Sequence, residues 1–129
     1  MSVFEKNYVV DASHIDELNH VNNVVYLQWI QDIANLHWTV LKEGHDTSSI
    51  VWVVIRHEID YFGQALLGDT ITAKTWVGKT AGIKSIRYVE FYKNGKRIVK
   101  AQTTFCLLNA KTFKPLRITD EVLEMLALK

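Results

Sequence analysis

An α+β fold, with one long helix laid against an antiparallel sheet of about five strands, follows from three features of this 129-residue chain. One stretch near the N-terminus carries apolar residues at helical spacing, and strand patterns fill most of the chain beyond it. The connections between those strands are too short for the crossovers that parallel pairing needs. A single amphipathic helix must then bury its stripe on the sheet. The length suits one domain over residues 1–129, and with one Pro and 6 Gly no linker, repeat or low-complexity stretch divides it.

Residues 4–10 have a short mixed pattern that suits an edge strand, and the polar run from Asp11 to His20 reads as a loop. The helix comes next. Tyr26, Trp29, Ile30, Ile33, Leu36, His37, Val40 and Leu41 recur on one face, with Gln28, Gln31, Asp32, Asn35 and Lys42 opposite. Asn22 or Asn23 can cap its start, and Gly44 supplies the stop. About 20 residues at ~1.5 Å each make a rod roughly 30 Å long, the central packing element of so small a domain.

Strands are expected over 50–62, 70–77, 85–92 and 98–108, each rich in β-branched or aromatic residues. Gly63 and Gly68-Asp69 break the first from the second, and Asn94-Gly95 marks a tight hairpin between the last two. Pro115 ends the extended region, and Asp120 can cap a short tail helix through Leu126. Two layers leave the outer sheet face and the edge strands needing cover, which favours a homo-oligomer.

Composition narrows the function classes. Fifteen basic residues against 14 acidic ones give a net charge of +1, which offers no long-range field for nucleic acid or an anionic membrane. No apolar run reaches the ~18 residues needed to cross a bilayer. Residues 1–6 lack the layout of a signal peptide, so a cytoplasmic location is expected. The lone Cys106 excludes an intrachain disulfide and a Cys-based zinc site, and its apolar neighbours suit a buried thiol rather than a nucleophile. Neither a Gly-x-Gly-x-x-Gly turn nor a Walker loop is present, and no cofactor is expected.

Chemistry concentrates just before the helix, where Asp16, His20, Asn22 and Asn23 lead into its N-terminus. Unpaired amides and the positive end of the helix dipole can polarise a carbonyl there. A carboxylate beside them could attack that carbonyl or deprotonate water. Against this stand plainer readings, in which the asparagines cap, Asp16 is solvated and His20 fills a turn. His14, Asp16 and His20 are also metal-ligand types, although their spacing matches no known metal motif. His37 on the apolar stripe reads as a hydrogen-bonded core histidine. In the 50–62 strand, Glu58 and Asp60 share one face and His57 takes the other. Lys79, Lys84 and Arg87 cluster near a turn that could hold phosphates, or they are simply solvated.

The run Asp16-Glu17-Leu18-Asn19-His20-Val21-Asn22-Asn23-Val24-Val25-Tyr26-Leu27-Gln28-Trp29 resembles the active-site signature of the hot-dog-fold acyl-CoA thioesterases of the 4-hydroxybenzoyl-CoA thioesterase type. The plant acyl-carrier-protein thioesterases are relatives of that family. The resemblance extends to 56–61, to Gly68-Asp69 and to 112–118, in order along nearly the whole chain. It implies a hot-dog fold, an antiparallel sheet wrapped around the long helix, in dimers or tetramers with interfacial active sites. It also implies hydrolysis of an acyl-CoA or acyl-carrier thioester to free acid and thiol. Asp16 takes the place of the catalytic carboxylate, His20 matches the plant-type histidine, and the carbonyl-binding amide falls near Asn23. Tyr26, His57 and Glu58 are the expected substrate contacts, and Lys79, Lys84 and Arg87 the expected CoA contacts. Three positions depart from the pattern: His14 stands where an Asp is frequent, Asn19 where a Gly is common, and Leu18 where the plant enzymes carry a catalytic Asn. A domain on the same fold that binds an acyl chain or acyl carrier without turnover is the alternative.

Overall fold

The computed structural model describes residues 2–128. Strand β1 (Phe4–Val9) and a 3₁₀ turn (Ala12–His14) precede helix α1 (Asn23–Leu41). Strands β2 (Ile50–Tyr61), β3 (Thr70–Ala81), β4 (Lys84–Lys93) and β5 (Lys96–Asn109) come after it, and α2 (Asp120–Leu128) ends the chain. All five strands form one antiparallel sheet in the order β1-β3-β4-β5-β2. The expected α+β arrangement is present, with most strands slightly longer than their sequence patterns suggested.

Asn22 is the cap of α1, its side chain accepting from the Val24 amide at 3.0 Å, and Asn23 is the first helical residue. The buried stripe is Val25, Tyr26, Trp29, Ile30, Ile33, Ala34, His37 and Leu41. Leu36, expected on this stripe, is exposed. It lies ~100° round the helix from His37, beyond what one flat sheet can cover. Tyr26 and Trp29 meet Phe91 at ring-centroid distances of 5.3 and 6.1 Å, which fixes the start of the helix over β4. Asp32 binds the helix to the edge strand, accepting from Tyr8 Oη at 2.6 Å and pairing with Lys6 Nζ at 2.9 Å. The tail helix is capped by Thr119 rather than Asp120, because the Thr119 hydroxyl accepts from the Val122 amide at 3.3 Å and Asp120 is already helical. Val122 and Met125 of that helix pack with Leu107, Trp38 and Trp52 and close the end of the core beneath the second half of α1.

Two local features shape the sheet. The β4–β5 hairpin turns on Asn94 and Gly95, both at positive φ, as a two-residue turn of this hand requires. In β2 the register shifts at Ile55, so that Val54 opposes Phe105 and Arg56 opposes Thr104. Trp52 before this bulge and His57 after it therefore both face the helix side, while Glu58 and Asp60 face away as expected.

The inner face also carries a buried polar group. Arg87 opposes Thr103 across β4–β5, and Thr103 opposes His57 across β5–β2. His57 Nδ1 lies 2.8 Å from the Thr103 hydroxyl. Arg87 Nη1 donates to His37 Nδ1 at 2.8 Å and to Thr75 Oγ1 at 3.1 Å. His37 accepts at Nδ1, so its ring is neutral. Burial first, and the Arg87 charge second, push its pKa down to about 4. The unfolded chain takes up this proton near the ordinary histidine value, whereas the folded chain resists it until about pH 4. Stability is therefore lost as pH falls through that window. We expect unfolding by urea to show a midpoint that drops between about pH 7 and 5, and His37→Gln, which keeps an acceptor for Arg87, to flatten that drop.

Candidate active site

The segment from His14 to Asn22 is a closed loop held by backbone hydrogen bonds. The Asn22 amide donates to His14 O at 2.9 Å and the Asp16 amide to His20 O at 2.8 Å, bridging Ile15 to Val21. Asn19 turns the chain at φ +62°, a conformation an asparagine tolerates better than most residues. Inside the loop, Asp16 Oδ1 accepts from the amides of Leu18 at 2.9 Å and His20 at 3.2 Å. The carboxylate is thus held by the backbone of its own loop, half-buried, six residues before the cap of α1. Asn22 takes the Val24 amide with its side chain and the Val25 amide with its carbonyl. The first-turn amide outside that capping pair is that of Asn23, at the mouth of the helix.

A second loop supports the first. The Val21 amide donates to Ala65 O at 3.0 Å, and His20 bridges to Leu66. Asp69 orders this support: its Oδ2 accepts from the Leu66 amide at 2.7 Å and pairs with Lys93 Nζ at 2.7 Å. The Lys93 hydrogen bond is the larger reason that the Asp69 carboxyl titrates below the usual range. Gly68-Asp69, a turn signal in the sequence, is thus the clamp that steadies the Asp16 loop.

Tyr26 stands behind the helix mouth, 2% exposed, its ring edge-on to Trp29 and 5.8 Å from Tyr61. Its hydroxyl is buried without a hydrogen-bond partner; the Ala65 backbone lies toward it but outside bonding geometry. Burial, with Tyr61 next in weight, pushes its pKa up to about 12. Tyr61 was not singled out by the sequence, and its contact with Tyr26 is what ties the end of β2 to this site.

Other expected site residues lie elsewhere within the chain. His57 and Glu58 sit three or four residues back along β2 from Tyr61, roughly 10–13 Å away. Glu58 pairs with Arg56 on the opposite face from His57. Lys79 and Lys84 are exposed at the β3–β4 hairpin. Lys84 is seven residues from Phe91, which puts it roughly 23 Å along β4 from the helix mouth. Arg87 is 6% exposed and bonded inside the core, apart from those two lysines. A converging His14, Asp16 and His20 set is not formed. His14 Nδ1 accepts from the Asp11 amide at 3.0 Å, and no three metal-ligating side chains among the described residues cluster to hold an ion. No helix among them is long and apolar enough to cross a membrane. Cys106 is buried, as its neighbours indicated.

The unsatisfied Tyr26 hydroxyl yields a stability prediction. Removing a buried polar atom that has no partner relieves a desolvation cost of ~1–3 kcal/mol. Tyr26→Phe should leave the thermal midpoint unchanged or raise it, whereas a tyrosine bonded through its hydroxyl would lose stability on the same change. Calorimetric melting of the two proteins decides between them.

Comparison with known proteins agrees with this architecture. The family model described as the acyl-ACP thioesterase N-terminal domain matches residues 1–126. The long-chain acyl-CoA thioesterase FadM of Escherichia coli (strain K12) is 27% identical over 124 residues, covering 91% of this chain and 92% of the relative. The palmitoyl-acyl carrier protein thioesterase of Cuphea hookeriana is 21% identical over 131 residues, and the match spans 93% of this chain but only 32% of that longer protein. A structure described as a predicted thioesterase from Bacillus stearothermophilus superposes with a TM-score of 0.85 at 22% identity, covering 97% of this chain and 94% of the other. The loop-capped helix on a five-stranded antiparallel sheet is therefore the hot-dog thioesterase fold, and the chain belongs to the acyl-ACP thioesterase N-terminal domain family.

Proposed function

We propose that this protein hydrolyses an acyl-CoA or acyl-carrier thioester to free acid and thiol, with Asp16 as nucleophile or general base. The observation that carries the reading is the fixed carboxylate of Asp16 in a loop that leads straight into the Asn23 amide at the mouth of α1. That amide and the helix dipole polarise the thioester carbonyl, and His20 and Tyr26 complete the wall around it. Either route ends with one water consumed, the C–S bond broken and the proton passed to the departing thiolate.

A pair of chains completes the site. The outer edge of β2 is the end of the sheet and exposes Val54, Ile55 and Tyr61. Two copies joined there about a two-fold axis run their β2 strands antiparallel. The Tyr61 end of one copy, beside its helix mouth, then meets the Ile50 end of the other, beside its β3–β4 hairpin. This arrangement brings Lys79 and Lys84 of one copy toward Asp16 of the other, which a single chain does not. His57 and Glu58 then sit along the shared strand edge.

Two measurements test this. With acyl-CoA substrates of graded chain length and a thiol-detecting dye, the wild-type protein should release CoA. Asp16→Asn, whose amide oxygen still accepts the loop hydrogen bonds, should fold normally by circular dichroism and lose ~10²–10⁴-fold in kcat. A well-folded variant keeping half the wild-type kcat would remove Asp16 from the chemistry, and silence of the wild type on every substrate would favour an acyl-binding domain without turnover. Sedimentation should give a dimer or tetramer, and Ile55→Asp at the β2 edge should shift it toward monomer with loss of activity. A stable wild-type monomer at micromolar concentration would remove the interfacial site.

A further inference from the structure

Beneath the second half of α1 lies a cavity of about 70 Å³, lined by Ala34, Trp38, Trp52, Val77, Phe105 and Arg87 among others. None of the loop residues 14–22 borders it. Space of this size encloses about two waters or the carboxylate end of a small organic acid, and because the cavity is partly open to solvent the body of the acid can extend along its walls. The walls are mostly aromatic and apolar, with Asn35 and Ser85 as neutral polar members; Trp38 and Trp52 meet edge-on at 6.0 Å, and Trp52 meets Phe105 at 6.5 Å.

Arg87 is the one charged residue among the described residues of that lining. Its side chain reaches the core with two polar contacts, the neutral ring of His37 and the hydroxyl of Thr75, both through Nη1. Burial lowers its pKa to about 10, so it stays charged at neutral pH, and no carboxylate among the described residues pairs with it. A cation taken out of water in this way normally keeps an acidic partner, because isolated charges are costly to bury. Here the partner's place is open space beside two tryptophans. A guanidinium fork matches a carboxylate in geometry and charge, and the aromatic walls suit a compact apolar body attached to it.

We propose that this cavity is a binding site for a small carboxylate with an aromatic or short aliphatic body, with Arg87 as its counter-ion. The carboxylate is either a free acid or the distal end of an acyl group whose thioester lies elsewhere. The occupant is recognised by its charge, since Arg87 is the one charged group among the described residues of the lining.

Benzoate and benzamide are the matched probes, read on wild-type protein by quenching of tryptophan fluorescence and by calorimetry. Benzoate should bind saturably and benzamide at least tenfold more weakly. Arg87→Met should weaken benzoate by tenfold or more. Should that variant fail to fold, Ala34→Leu, which fills the cavity and leaves Arg87 in place, should do the same. Adipoyl-CoA displacing benzoate where hexanoyl-CoA does not would assign the carboxylate to an acyl group, and displacement by neither would assign it to a free acid. The proposal is overturned if wild-type protein does not bind benzoate, if benzamide binds as well, or if a folded Arg87→Met variant binds benzoate unchanged. Equal displacement by the two thioesters also overturns it. None of these outcomes depends on turnover, so they stand apart from the test of Asp16.

Discussion

The packing of Tyr26 and Trp29 on Phe91 fixes where α1 begins relative to the sheet, and the position of every other functional group depends on it. With the first turns held over the C-terminal end of β4, the capped end of the helix projects past the core, where its amides meet the loop rather than more protein. The loop itself has little apolar content to hold it. Paired backbone groups take that role, with Ile15 bridged to Val21 and the His20–Val21 flank tied to the Ala65–Leu66 segment. Such a frame fixes a carboxylate beside a helix mouth more firmly than a flexible side-chain contact, and the role proposed for Asp16 needs that, since small errors of placement cost rate steeply.

The same helix divides the interior into two chemically different halves. Over its first turns the contacts are aromatic and dry, from Tyr8, Tyr26, Trp29 and Phe91. Over its later turns the sheet offers Thr75, Arg87, Thr103 and His57, a polar band under an otherwise apolar stripe. Polar groups at that depth are retained only when each finds a partner, and His37 on the helix supplies one by staying uncharged. The cost of that neutrality is the acid sensitivity of the core.

Much of this was legible in the residue pattern. The helix stripe, the four later strands, the Asn94-Gly95 turn and the opposite faces of His57 and Glu58 all follow from local spacing and turn chemistry. The closed loop was legible only as a polar run, because its order comes from backbone pairs, within the loop and with residues forty-odd positions away, that leave no side-chain pattern. For the same reason the sequence marked Asp69 as a turn and gave no sign that it clamps the support of the Asp16 loop. Arg87 was grouped with Lys79 and Lys84 because the three are near neighbours in the chain. Strand alternation decides otherwise, since Arg87 shares the parity of Ser85 and Val89, which face inward. Tyr61 escaped notice because a tyrosine at a strand end has no local signature, and its importance rests on a ring contact across the fold.

The bulge at Ile55 has a consequence for how this strand can vary. Side chains along β2 keep time with the pleat, and the extra residue is a phase shift of half a period between Trp52 and His57. Losing the bulged residue would restore the plain rhythm with Trp52 and His57 four steps apart and both still inward, because the extra residue and the shift of register cancel. A further residue taken into the regular pleat is what would turn His57 and Ile59 out to solvent and drive Glu58 and Asp60 in beneath the helix. An inward Trp and an inward His thus need an odd number of steps between them where the strand bulges and an even number where it does not.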